Sequence, residues 1–373
     1  MLKIRPFKKA SKKKGGIMKF RIITTGLLTA CTSMASAGGY EAQVLDTSFM
    51  HEKGSMVSVS TASLNSSHTL STGTKAKILK DQSFVNLTVK SKFGPVDVGL
   101  TNYRSGAIQL SGSANAGGVP NWVPTADADV DTITVMAKYD FGNDISVLAG
   151  INRDSLGTSK ITTPAGLYDI KSSSAFGYVI GAAYSYPDIA LRAELIYQTG
   201  SDLGTTTTYT GGAVVPNVTT SLKRPETLTF NFQSGVTENT LLYGSVHNAT
   251  WTGAPITVGT LATLGQAKID ESFSNSSKYT VGVGRKFNES ISATLSYATE
   301  SGSGATDTSL FTVSNGSNTI GVGMRYTIND TSSVSVGYGR TTFGDVDLSA
   351  TYPTTTYVGN TADTFGVKFQ VSY

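Results

Sequence analysis

The spacing of its strand-like segments constrains this chain more than any single motif. Fourteen stretches have a period of two in apolar and polar residues, which predicts strands. They lie near 54–62, 83–90, 95–103, 130–141, 145–152, 174–186, 189–199, 226–235, 239–250, 276–287, 291–299, 318–328, 332–340 and 362–373. Short and long connections alternate between them without exception. The short ones, 91–94, 142–144, 187–188, 236–238, 288–290 and 329–331, carry Gly, Pro, Asn and Asp, which supply turn geometry. The long ones are 63–82, 104–129, 153–173, 200–225, 251–275, 300–317 and 341–361. An even strand count with tight turns at one end and long loops at the other is the pattern of a bacterial outer-membrane β-barrel. A soluble sandwich has no reason to sort its connections in this way.

The faces agree with that reading. Over 227–233, Leu228, Phe230 and Phe232 point one way, and Thr227, Thr229, Asn231 and Gln233 the other. Over 133–141, Ile133, Val135, Ala137, Tyr139 and Phe141 oppose Thr134, Lys138 and Asp140. If the apolar faces meet lipid, the lumen receives Asp97, Lys138, Asp140, Arg192, Glu194, Arg325 and Lys368, because charge is costly against hydrocarbon. Tyr139, Phe141, Tyr184, Tyr186, Tyr197, Tyr297, Tyr326 and Tyr338 fall near strand ends, where aromatic girdles sit. Charged residues are only 15%, against about 25% in ordinary soluble domains. Beyond residue 37, no stretch is apolar for the roughly 20 residues that a spanning helix needs.

Residues 1–37 are predicted to be a signal peptide with a basic N-terminal extension. Lys19 and Arg21 precede an apolar core, and Ala35-Ser36-Ala37 fits a cleavage site. Either Met1 or Met18 is the start. The sole cysteine, Cys31, lies in this segment, where an ordinary signal residue and a lipidation site are alternative readings; the remainder has no thiol for disulfides or metal. Residues 1–37 carry nine Lys and Arg and no acid, so the rest of the chain has 21 basic and 26 acidic residues, net −5. No basic patch of a nucleic-acid binder is expected. The last strand places Gly366, Phe369, Val371 and Tyr373 in the pattern of a barrel-assembly signal.

Enzyme motifs fail. His51, His68 and His247 match no zinc spacing. The first two are expected in solvent and His247 on the lumen face, with no nucleophile placed beside it. Gly282-Val283-Gly284-Arg285 lacks the helix of a phosphate loop, and its glycines are expected to make room inside the barrel or to ease its curvature. Asp127, Asp129 and Asp131 form a loop edge rather than a calcium site. No cofactor and no metal are implied.

From 182 to 287 the sequence resembles the FadL/TodX family of outer-membrane transporters for hydrophobic compounds. The residues that carry the likeness are Ala182-Ala183-Tyr184, Pro187 to Arg192, Arg224 to Phe230, Phe232 to Val236, Thr240 to Val246 with Trp251, and Tyr279 to Phe287. The resemblance implies an all-β, transmembrane antiparallel barrel of about fourteen strands over 54–373, plugged by a short N-terminal hatch at 38–53. That hatch lacks an Asn-Pro-Ala motif. It further implies passive, hatch-gated uptake of long-chain fatty acids or aromatic hydrocarbons in the bacterial outer membrane. The partners it implies are the lipid bilayer and lipopolysaccharide, the barrel-assembly machinery and a hydrophobic small molecule. A ligand groove between the long loops is expected at Val119, Trp122, Val123, Leu156, Ile161, Leu167, Tyr168 and Ile170; the same residues read alternatively as packing the loops onto each other. A fatty carboxylate would need a cation, for which Lys160, Lys171, Arg192 and Arg325 are candidates. The alternatives are a general diffusion porin for polar solutes and a barrel hydrolase using His247.

Overall fold

The computed structural model describes residues 39–70, 77–112, 122–259, 269–302, 309–311, 313–350 and 352–373. The expected signal segment and Val119 lie outside the described residues. Among the described residues, fourteen antiparallel strands close into a barrel. They are β1 (Met56–Ser66), β2 (Gln82–Phe93), β3 (Val96–Ser111), β4 (Thr125–Asp140), β5 (Ile145–Leu156), β6 (Ser173–Tyr186), β7 (Leu191–Gln198), β8 (Glu226–Thr237), β9 (Thr240–Thr250), β10 (Ser276–Lys286), β11 (Ile291–Glu300), β12 (Ser317–Thr327), β13 (Ser332–Phe343) and β14 (Thr361–Ser372). Each pairs with its chain neighbours. The cylinder closes where β14 pairs with β1, from Met56↔Ser372 to Ser66↔Ala362. The β2–β3 ladder is shorter than the rest, pairing only Thr88–Phe93 with Val96–Thr101; beyond it the Asn102 side chain accepts the Leu87 N–H and donates to the Val85 carbonyl.

Side chains make the short turns. Asn288 Oδ1 accepts the backbone N–H groups of Ser290 and Ile291, and Asn329 Oδ1 those of Thr331 and Ser332. Gly94 and Gly142 adopt positive φ, 60° and 76°, which glycine tolerates without strain. Asp140 sits here rather than in the lumen: it is exposed, and its carboxylate accepts the Gly142 N–H.

The expected alternation holds on the outer wall. Val59, Leu100, Val135, Val147, Ile180, Leu195, Phe230, Val281, Leu295, Val322 and Phe365 are exposed, and the eight girdle aromatics are exposed with them. Phe369 and Tyr373 of the expected assembly signal also face outward, while Gly366 is buried and Val371 half-buried in the β14–β1 seam. The bore differs from a uniformly polar lining. Met136, Leu148, Val179, Ala183 and Ile196 on the inner face of β4 to β7 form an apolar cluster with Leu45, Phe49, Met50, Met56 and Tyr103.

The long loops are more regular than their composition suggests. Ser159–Thr163 pairs with β4 and with Gly166–Ile170, which pairs with Thr205–Thr210. The series continues through Val214–Arg224, Ile256–Val258 and Ile269–Glu271. Loops after β5, β7 and β9 therefore form one strand-paired extension of the wall at the long-loop end.

Candidate functional site

Residues 40–53 run inside the barrel, and a break in the wall ladder positions their start. The β3–β4 register shifts between Arg104 and Gly106, a bulge that frees backbone groups. The Arg104 and Ser105 carbonyls accept the N–H groups of Gln43 and Ala42 at 2.9 and 3.1 Å, and the Tyr40 carbonyl accepts the Ala107 N–H at 2.8 Å. Gly106 is required here, since a Cβ would overlap the Tyr40 ring. Further along, Phe49 and Met50 lie against Gly99, where a Cβ would again overlap them.

Charged wall residues fasten the rest of the segment. Glu194 accepts from Thr47 Oγ1 at 2.7 Å and from Asn231 at 3.1 Å, and pairs with His51 Nε2 at 2.7 Å. Lys138 donates to the Met50 carbonyl at 2.6 Å and pairs with Asp97 at 2.9 Å, while Lys90 donates to the Glu52 carbonyl. Lys138, Arg192 and Glu194 are thus inward and buried, as the strand faces predict; Arg325 and Lys368 are half-buried. Burial holds the His51 imidazole below its ordinary range, against the pull of Glu194, and raises the Glu52 carboxyl.

The expectation that His51 and His68 are solvated is wrong. His51 is enclosed beside Glu194. His68 is fully buried, with Nδ1 hydrogen-bonded to Ser66 Oγ at 2.8 Å and its ring 4.4 Å from that of Phe343. Burial lowers His68 to about 4. His247 does face the lumen: Nδ1 meets Thr229 Oγ1 at 2.8 Å and Nε2 meets Glu41 at 3.0 Å. The strands that carry this row, β8 and β9, pair with each other and with their neighbours in the wall ladder. Asp127, Asp129 and Asp131 are held by Lys80, Gln109 and Arg104. Gly282 makes room for the Tyr243 ring, the role expected of the glycines in that strand.

Most of the groove residues predicted from the loops come together. Val123, Leu156, Ile161, Tyr168 and Ile170 are buried in one apolar cluster, with Trp122 packed against it and its indole N–H bonded to Thr355 Oγ1. Leu167 is half-buried and outside the cluster. Tyr40 belongs to the same cluster. Its ring makes edge contacts with Trp251 (4.9 Å) and Phe273 (5.7 Å), and its hydroxyl donates to the Lys223 carbonyl. In the loop extension, burial raises the Glu271 carboxyl to about 7. Lys160 and Lys171 are exposed and pair with Asp169 and Asn217, away from the bore.

Below the cluster lies a polar layer that strand periodicity does not reveal. Asp154 is fully buried, accepts from Arg224 at 2.8 Å, from Ser201 at 2.5 Å and from Thr132 at 2.6 Å; Arg224 also donates to the Thr199 carbonyl. The only sequence signal is an inward-facing charge at a strand end.

These features define a class: an outer-membrane-type β-barrel whose bore is crossed by its own N-terminal segment. No family model and no curated protein matches the chain. Solved structures do match. A Pseudomonas aeruginosa FadL homologue superposes with a TM-score of 0.72 at 10% identity, covering 93% of this chain and 97% of that one. The Ralstonia pickettii toluene transporter TbuX gives 0.65 at 12%, covering 92% and 98%, and the Pseudomonas putida toluene transporter TodX 0.61 at 10%, covering 92% and 98%. The chain has the fold of these barrels over nearly its whole described length.

Proposed function

We propose that the protein admits hydrophobic small molecules, long-chain fatty acids or aromatic hydrocarbons, across the outer membrane by passive diffusion gated by residues 38–53. The observation that carries this reading is Tyr40, which joins a buried apolar cluster in the long loops to a segment that occupies the bore. A water-filled path serves an apolar solute badly. A dry cluster offers about 25 cal/mol per Å² of apolar surface removed from water. In this reading Trp122, Val123, Leu156, Ile161, Tyr168 and Ile170 receive the ligand, and the segment is the hatch. The neighbours named as toluene transporters favour the same cargo class. A general diffusion porin fits less well, because Leu45, Phe49 and Met50 pack against the inner wall inside the bore. Residues 1–37 serve as the export signal, and the C-terminal strand pattern engages the assembly machinery.

The test is a deletion strain grown on each fatty acid or hydrocarbon as sole carbon source, with and without the gene restored. Growth lost on at least one compound and recovered on restoration supports the proposal. Normal growth on all of them overturns it. A liposome-swelling assay with sugars separates the porin reading, which requires rapid swelling.

A further inference from the structure

A cleft of about 540 Å³ lies between residues 39–42 and residues 107–110 of β3, beside the long-loop ends of β1 and β2. Leu79, Ile108, Leu110 and Phe311 give it apolar walls, and all four belong to the loop cluster. Two polar side chains line it as well, His68 just past β1 and Gln82 at the start of β2. His68 is fully buried. Among the described residues, its Nε2 and the buried Gln82 Oε1 have no hydrogen-bond partner. The bonds around Ser66 assign the hydrogen on the His68 ring. Ser66 Oγ accepts the His68 backbone N–H at 3.1 Å, and among the described residues the hydroxyl's own hydrogen meets one acceptor, His68 Nδ1, at 2.8 Å. With Nδ1 accepting, the neutral ring carries its hydrogen on Nε2. Burial lowers His68 to about 4, so the ring is neutral at ordinary pH. The cleft therefore presents one N–H donor and one carbonyl acceptor among apolar side chains, and such groups are costly to leave unpaired. No lysine or arginine is among the described residues that line it, and its one carboxylate, Glu41, is paired with His247.

We propose that this cleft seats the hydroxyl of a neutral, otherwise apolar solute, an alcohol or a phenol, between His68 and Gln82. A hydroxyl oxygen accepts from Nε2–H and its hydrogen goes to Gln82 Oε1, so one group satisfies both. A ketone or an ether leaves Gln82 unpaired, and an ammonium leaves His68 unpaired. A carboxylate finds no lysine or arginine among the described lining residues. A site built around such a pair discriminates against the shape-matched hydrocarbon, which would strand both polar groups. The seat narrows the cargo from apolar solutes at large to hydroxylated ones, and it rests on the reading that the loop cluster receives such solutes.

The experiment is calorimetric titration of the purified full chain in non-ionic detergent with p-cresol and with p-xylene, which carries a methyl in place of the hydroxyl. Each titration is corrected for the heat of the detergent alone. The same titrations follow on His68→Phe and Gln82→Met, both checked for the folded barrel by heat-dependent electrophoretic mobility. Saturable p-cresol binding that weakens about tenfold in each variant, with p-xylene bound at least as tightly as before, supports the seat. A folded variant that binds p-cresol as wild type does, or that loses p-cresol and p-xylene alike, overturns it. A wild type that binds p-xylene and not p-cresol overturns the seat and leaves the proposed function standing. Binding of neither overturns the seat and removes aromatic cargo from that function as well. If neither variant folds, the wild type is titrated with p-cresol and its methyl ether, which keeps the oxygen and lacks the hydrogen. Binding about tenfold weaker for the ether supports the seat, and equal binding overturns it.

Discussion

Replacing Glu194 with Ala tests whether side-chain anchors hold the N-terminal segment in the bore. Glu194 bonds two groups of that segment, the Thr47 hydroxyl and the His51 imidazole, both at 2.7 Å, and one wall group, Asn231. Hydrogen bonds to a charged group contribute about 1.5–3 kcal/mol each. Losing the two segment bonds therefore costs about 3 kcal/mol at the low end, which is roughly a 100-fold rise in the locally open population. The wall ladder is untouched, because β7 keeps its backbone pairing to β6 and β8. Amide hydrogen exchange resolves this, since protection reports local opening free energies. In the detergent-solubilised protein, peptides covering 45–52 should exchange roughly 100-fold faster, while β7 and β8 peptides stay protected. Glu194→Gln should fall between, because an amide oxygen still accepts from Thr47. Unchanged protection of 45–52 in a folded Glu194→Ala barrel would refute the anchoring argument and leave the apolar contacts of Phe49 and Met50 as the main restraint.

Gly99→Leu fills the space that Phe49 and Met50 occupy; it should displace residues 47–52 at about 1–3 kcal/mol of overpacking and raise single-channel conductance in planar bilayers, and unchanged conductance would count against the proposed hatch. His68 supplies a pH dependence. Its folded value, about 4, lies below its unfolded value near 6.5, so its contribution is complete above pH 6.5 and is lost as pH falls towards 4. The full loss is on the order of 3 kcal/mol, and a melting series between pH 7 and pH 4 should show it in the wild type and not in His68→Gln. The two tryptophans, Trp122 and Trp251, both sit at the loop cluster. An aromatic hydrocarbon that enters there should change their emission, and a chain whose fluorescence ignores saturating toluene does not bind it at that cluster. Asp154→Ala strands the buried Arg224 guanidinium and should cost about 3–5 kcal/mol, read as a lower melting temperature; an unchanged value would mean water replaces the carboxylate.

The strands were legible because lipid imposes a rule that sequence alone can state: outward residues are apolar, and turns at one end are short. All fourteen appear where the alternation places them, but several run further. β3 continues to Ser111 and β4 begins at Thr125, because the wall extends beyond the lipid into water, where outward residues need not be apolar. The Thr-rich run 205–210 reads as loop by composition, yet pairs on both sides. Exposure of His51 and His68 depends on what folds over them, and local pattern carries none of that. The apolar patch of the bore did leave a trace. Val135-Met136, Val147-Leu148, Val179-Ile180 and Leu195-Ile196 are adjacent apolar pairs that break strict alternation, and in each the second face is the inward one or the first is. Such pairs clustered on neighbouring strands mark where something dry must lie within the barrel. The residues of the loop cluster were legible as large apolar side chains in otherwise polar loops. Their partners Tyr40 and Trp251 were not, since nothing in the chain's order links position 40 to position 251.

A closed barrel leaves a segment inside it little backbone to bind, because the wall's N–H and C=O groups are spent on neighbouring strands. Two exceptions are available, and this chain uses both. The bulge at Ser105 releases carbonyls, which take the N–H groups of Ala42 and Gln43. Elsewhere the wall reaches in with long charged side chains, and Lys90 and Lys138 donate to segment carbonyls that would otherwise lie buried without partners. The contacts near residue 40 combine backbone bonds, an aromatic cluster and the Glu41–His247 pair; those near residue 50 combine the packing of Phe49 and Met50 with charge-assisted bonds. High salt weakens exposed ion pairs more than it weakens enclosed ones, so it should leave both ends seated, whereas an apolar solute that enters the loop cluster should compete for the surface that holds Tyr40.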